Sequence, residues 1–185
     1  MPGQVLGSLI GAVFGLIYVV VNTGQLPSAA SVPLRVLGFL AFVAVLGATY
    51  RRRGGPALDA PDKGRGFGPA YWLVVAAEVI ALLVGVRVLS GPFESPHAGV
   101  AWVSFVVGVH FFALAVVFRD SFFHWLGAAI TVCGVLGLAL AVGGASEDPI
   151  ALVSGVVPGA LLLASGWWGT HRAPRPEARP AARVG

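Results

Sequence analysis

The sequence predicts an all-α integral membrane bundle of six transmembrane helices arranged as three consecutive hairpins. Three observations predict it. Hydrophobic residues make up 57% of the 185 and charged residues only 11%, where a soluble domain of this size carries about a quarter charged residues; the mean hydropathy is +0.86. The apolar residues collect into six runs, each close to the roughly 20 residues a helix needs to cross a hydrocarbon core of about 30 Å. The basic residues alternate between the links. With the N-terminus inside, ten of the twelve, Arg51, Arg52, Arg53, Lys63, Arg65, Arg119, Arg172, Arg175, Arg179 and Arg183, fall on the cytoplasmic side, as the positive-inside rule requires.

The net charge of +4 therefore reads as a topology signal, and nucleic acid is excluded as a partner. The lone Cys133 lies within an apolar run, so no disulfide framework and no cysteine metal site is built within one chain.

The runs are approximately 4–22, 31–50, 69–90, 98–118, 123–143 and 149–169. Together they make a transmembrane domain over 1–170, followed by a basic cytoplasmic tail over 171–185 whose Arg, Pro and Ala cannot bury a core. The first run is followed by Ser28-Ala29-Ala30, which resembles a signal cleavage site. No Lys or Arg precedes the run, however, and its apolar stretch exceeds a signal core, so it is read as a retained helix. It carries Gly3, Gly7, Gly11 and Gly15 in strict four-residue register. A stripe without side chains lets another helix approach closely, which in lipid is a main source of helix association.

The second run begins after Pro33, tolerable in a first helical turn. Arg35 near its start snorkels to the interface, and Tyr50-Arg51-Arg52-Arg53 closes the run on the cytoplasmic side. Arg51 to Gly68 forms the one long link, exposed and irregular. Ser104 and Gly108 in the fourth run, and Gly155 and Gly159 in the sixth, add small-xxx-small pairs. Pro158 predicts a kink near the middle of the sixth.

Only Glu78 in the third run and His110 in the fourth are ionisable and deep inside apolar sequence. The link Gly91 to His97 is centred on residue 94, so equal depths in this hairpin have numbers summing to 188, as 78 and 110 do. At 1.5 Å per residue both lie roughly 18 Å below the outer end, close to the midplane. A charge there costs about 2.5 to 3.5 kcal/mol on insertion scales. The prediction is a hydrogen-bonded intramembrane pair facing the bundle interior. Arg87 is nine residues from Glu78 and falls on the opposite helical face.

No chemistry beyond this pair emerges. Ser104 and His110 are six apart on different faces, so no nucleophile and base stand together. Only His110 lies deep enough to ligate a metal or haem, and no GxxxxGK[ST] loop is present. The sequence therefore predicts no enzyme, no cofactor and no metal. The expected surroundings are the lipid bilayer of the cell membrane, with both termini cytoplasmic and with a second copy or another membrane protein as partner.

The stretch Gly108-Val109-His110-Phe111-Phe112-Ala113-Leu114-Ala115, then Phe118-Arg119 and the glycine-rich run Gly127 to Leu140, resembles small bacterial multi-pass membrane proteins of unknown function that carry a Gly-x-His-Phe segment. Ala113 stands where their proline is expected. The resemblance covers residues 108–140, implies His110 as the distinctive position and supplies no substrate. Two function classes remain, an accessory or structural membrane protein, which is favoured, and a small permease or proton-coupled transporter using Glu78 and His110.

Overall fold

The computed structural model describes residues 3–24, 26–53, 68–91, 95 and 97–172, without the side chains of 3–6, 52, 53 and 172. Its elements are α1 (Gly3–Asn22), α2 (Ser28–Arg53), α3 (Pro69–Ser90), α4 (Ala98–Phe118), α5 (Phe122–Val142), α6 (Glu147–Ala151), a π-helical turn (Leu152–Val156) and α7 (Val157–Arg172). No strand occurs among the described residues. Five helical stretches are long and apolar enough to cross a membrane: Ser28–Arg51, Pro69–Ser90, Ala98–Phe118, Phe122–Val142 and the continuous Glu147–His171. Gly7–Asn22 of α1 adds a shorter apolar one. The chain is thus all-helical and consistent with a helical membrane bundle. Lys63, Arg65, Glu94, the tail beyond 172, the side chains of Arg52 and Arg53, and the contacts of Gly3 lie outside the described residues.

Five helices contribute to the core. Tyr18 of α1, Leu126 and Ile130 of α5 and Leu162 of α7 form one buried cluster, packed against Val103, Val107 and Phe111 of α4. A second cluster joins Ala12 and Val19 of α1, Val45 of α2 and Leu163 of α7. α2 lies outside α1 and α7, while α3 packs on α4 and makes no other extensive contact.

Sequential hairpins were expected to organise the packing, yet the two most extensive helix contacts are α4 with α5 and α1 with α7, the latter joining the first helix to the last. Glycines account for both. A Cβ on Gly15 would lie 2.8 Å from the Gly159 carbonyl, and one on Gly159 would lie 2.9 Å from the Gly15 carbonyl. The two backbones touch with nothing between them. Along α4 and α5, Gly108 admits Thr131, Gly134 admits the backbone of Phe105, and a Cβ on Gly127 would lie 2.9 Å from the Gly108 carbonyl. Close backbone approach of this kind supplies the van der Waals contact that holds helices together where lipid removes the hydrophobic drive between them.

Two boundaries differ from expectation. α2 starts at Ser28, so Pro33 lies inside the helix and not ahead of it. The backbone N–H groups of Ala30 and Ser31 both bond to the Pro27 carbonyl at 2.9 Å, which nucleates the helix before the proline is reached. At Pro158 the irregularity is a π turn just upstream, closed by the Val157 N–H on the Leu152 carbonyl. Proline has no N–H to give the carbonyl four residues earlier. That carbonyl belongs to Ser154, and the wider turn presents it to a neighbouring helix.

A polar seam between α3 and α4

Three features seat α3 on α4. Gly85 is the only fully buried residue of α3, and the Trp102 indole lies directly over it. The indole nitrogen donates to the Ala81 carbonyl at 3.0 Å. Two turns deeper, Glu78 Oε2 stands 3.1 Å from His110 Nδ1, with side chains 19% and 12% exposed. Gly85 opposite Trp102 sums to 187 and Glu78 opposite His110 to 188, so the antiparallel register runs unbroken along the contact.

The Glu78 and His110 contact is close but not collinear. Nδ1 makes no hydrogen bond of acceptable angle, and a polar contact off the N–H axis weakens steeply. The distance is that of an ion pair. Two other buried side-chain atoms share this condition among the described residues, Tyr18 Oη and Thr131 Oγ1. Tyr18 is 9% exposed.

The hydroxyls of Ser104 and Ser154 are both committed. The Ser104 hydroxyl of α4 donates to the Ser154 carbonyl in the π turn, the acceptor that Pro158 leaves free. The Ser154 hydroxyl donates in turn to the Cys133 carbonyl of α5 at 2.9 Å. Gly137 makes room for it, since any Cβ there would collide with the Ser154 side chain. Three helices are thereby tied at a point that a backbone defect would otherwise weaken.

Towards the α4–α5 turn the seam gives way to aromatics. Phe111 stacks on Phe123 with centroids 6.1 Å apart, Phe118 lies 5.8 Å from Phe123, and Tyr71 of α3 lies 6.2 Å from Phe118.

The remaining sequence-derived positions fall as follows. Gly11 and Gly15 face α7, but nothing comes within 4 Å of Gly7. The reason is angular. Each four-residue step advances about 400°, so the stripe drifts about 40° per glycine, whereas Ser8, seven residues from Gly15, returns to within about 20° of it. Ser8 accordingly takes the place of Gly7, with its carbonyl 2.9 Å from a Cβ on Gly166 and its hydroxyl against Gly169. Arg51 is exposed at the end of α2. Arg35 does more than reach for an interface, because its Nε donates to Thr23 Oγ1 at 2.9 Å and ties α2 to the end of α1. Arg87 is exposed.

Two shallow apolar concavities, one along Val43, Leu46, Gly47, Thr49 and Tyr50 and the other along Leu136, Ala139, Leu140, Gly143 and Val153, leave the polar seam untouched. Tyr18 and Ser154 were not singled out in the sequence. The available signals were a phenol in the middle of an apolar run and a serine four residues before a proline. Comparison with known protein families, with curated proteins and with solved structures finds no match to this chain.

Proposed function

We propose that this chain is an accessory or structural protein of the cell membrane, crossing it six times with both termini in the cytoplasm, and that Glu78 and His110 hold α3 to the rest of the bundle. It needs no cofactor and catalyses no reaction. The observation that carries this reading is the peripheral place of α3, which among the described residues packs extensively only on α4 and leaves Leu73, Ile80, Leu83 and Val84 each more than half exposed. A helix fixed along one edge by a tryptophan, a glycine and a polar pair offers the rest of its surface to lipid or to another membrane protein. The test is recovery of a stable partner, or of a second copy, from membranes solubilised in mild detergent, with no solute or proton flux in proteoliposomes. A chain that is monomeric and alone, yet carries flux, overturns it.

One observation favours a second reading, a proton-coupled permease. An acid and an imidazole in contact at equal depth within apolar helices are the ingredients of a proton relay, and Glu78 and His110 stand 3.1 Å apart. Flux driven by a pH gradient and abolished in Glu78→Gln supports that reading. Flux unaffected by the substitution removes it.

A further inference from the structure

Arg35 is a cation fixed in place with no counter-ion among the described residues. It stands seven residues into α2, about 10 Å from the start of that helix, on the side that meets α1; Gly38, three residues further along, packs against Val19 of α1. Its Nε donates to Thr23 Oγ1 at 2.9 Å. Thr23 is wholly buried, and its hydroxyl proton is committed to the Val19 carbonyl of its own helix at 2.8 Å, so the oxygen offers Arg35 a lone pair. One edge of the guanidinium is thereby anchored to the end of α1.

The opposite edge is open. A guanidinium carries five N–H donors in a planar, rigid fork; Thr23 takes one, and those on Nη1 and Nη2 have no acceptor among the described residues. No described carboxylate touches Arg35, since the acid–base contact found among the described residues is that of Glu78 with His110. Gly24 leaves the approach clear, for it has no side chain and a Cβ there would stand 3.7 Å from Nη2. Around that edge the helix surface is hydrocarbon. Val32 and Phe39, three residues before Arg35 and four after, flank it, and both are 57% exposed. Arg51, at the far end of this apolar span, lies sixteen residues on, about 24 Å along the axis. Two arginine side chains reaching outward from those positions bracket a hydrocarbon layer of about 30 Å. The Arg35 guanidinium therefore stands at headgroup depth in the leaflet opposite Arg51.

We propose that Arg35, positioned by Thr23 and uncovered by Gly24, binds the phosphodiester of an anionic phospholipid in the leaflet opposite Arg51. Nη1 and Nη2 donate to two phosphate oxygens, the paired geometry that makes arginine a strong phosphate ligand. An acyl chain lies over the exposed Phe39 and Val43, the latter eight residues on and so about 12 Å deeper, within the span of one leaflet. The net negative charge of the lipid neutralises a cation that the described residues leave unpaired; a zwitterionic lipid brings a cation of its own and does so less well. The apolar face separates the lipid from free phosphate, which would gain the same two hydrogen bonds and no acyl contact. The inference depends on α2 crossing the membrane and on neither functional reading.

Photolabelling of the full chain in nanodiscs tests it, with phosphatidylglycerol as the anionic probe and phosphatidylcholine as the zwitterionic one, each carrying a diazirine in the acyl chain close to the headgroup. Peptide mapping reads where the label falls, so lipid held at Arg51 or by the basic tail is counted separately. The expected result is labelling of the first half of α2 by phosphatidylglycerol, about fivefold above that by phosphatidylcholine and about fivefold above that in Arg35→Gln, the factor that one cation near an anionic lipid surface supplies. Thr23→Val keeps the charge but frees the guanidinium, and should label less than wild type. If Thr23→Val does not fold, Arg35→Lys takes its place, since it keeps the charge and removes the fork. Equal labelling in wild type and Arg35→Gln, or by the two lipids, overturns the proposal. Undiminished labelling in Thr23→Val or Arg35→Lys reduces the site to a bare charge and overturns the role of Thr23. Loss of the label on adding inorganic phosphate assigns the site to free phosphate and overturns the lipid.

Discussion

Replacing the glycines of α1 one at a time with alanine should give a graded response whose sign changes along the helix. A glycine in a helix interior is about 1 kcal/mol less favourable than alanine, so each substitution carries that gain, and what differs is the room for the new methyl. At Gly7 nothing lies within 4 Å, and Gly7→Ala should raise stability by up to about 1 kcal/mol. At Gly11 the methyl would sit 3.7 Å from the Leu162 carbonyl and from Ser165 Oγ, an ordinary contact, so Gly11→Ala should be neutral to mildly stabilising. At Gly15 it would sit 2.8 Å from the Gly159 carbonyl and 2.9 Å from the Leu163 backbone nitrogen. Backbone cannot rotate aside, and overpacking of this kind costs about 1 to 3 kcal/mol. Taking the upper part of that range and subtracting the propensity gain leaves Gly15→Ala about 1 to 2 kcal/mol less stable than wild type. Unfolding followed by circular dichroism in mixtures of mild and denaturing detergent reads these differences. The reasoning is refuted if Gly15→Ala is as stable as Gly7→Ala, for then α1 and α7 do not meet through bare backbone.

Other substitutions probe the seam and the topology. Ser104→Ala removes the donor from the buried Ser154 carbonyl and should destabilise the protein by about 1 to 3 kcal/mol. In a Pro158→Ala background, where a backbone N–H becomes available to that carbonyl, the same change should cost less in the same unfolding assay. Trp102→Phe keeps a ring over Gly85 but loses the bond to the Ala81 carbonyl, and should cost about 1 kcal/mol while increasing hydrogen exchange in α3 selectively. Reporter fusions at Lys63 and at Glu94 should report opposite sides of the membrane; both on one side would overturn the count of six spans.

The helices were legible because hydropathy in lipid is a blunt signal: the run read as 98–118 is α4, and that read as 69–90 is α3. The register of α3 on α4 was legible too, since a short link fixes which residues share a depth, and Glu78 stands against His110. Which helices pair most closely was not. Gly15 meets Gly159 across the whole length of the chain, and nothing in a local glycine pattern names its distant partner. The repeat of four glycines also overstated the contact, because helical drift hands the place of Gly7 to Ser8. Pro158 announced a disturbance but not its form, for the choice between a sharp bend and a π turn depends on whether another helix supplies a donor to Ser154, as Ser104 does. Tyr18 was hidden by its own context, a mostly apolar ring among apolar neighbours whose single hydroxyl becomes informative only when its surroundings are known.

The contact between Glu78 and His110 is the deep attachment of α3 to α4. A double-mutant cycle on unfolding free energy, using Glu78→Leu, His110→Phe and the pair together, measures that contact and little else. Interhelical polar contacts in membranes couple by about 0.6 kcal/mol on average and up to about 1.7 kcal/mol, and the Glu78 and His110 contact, close at 3.1 Å but off the hydrogen-bond axis, belongs near that average. The predicted coupling is about 0.6 kcal/mol or more. Single-mutant effects that add to within about 0.3 kcal/mol would contradict it, and α3 would then be held to α4 by Trp102 and Gly85 alone.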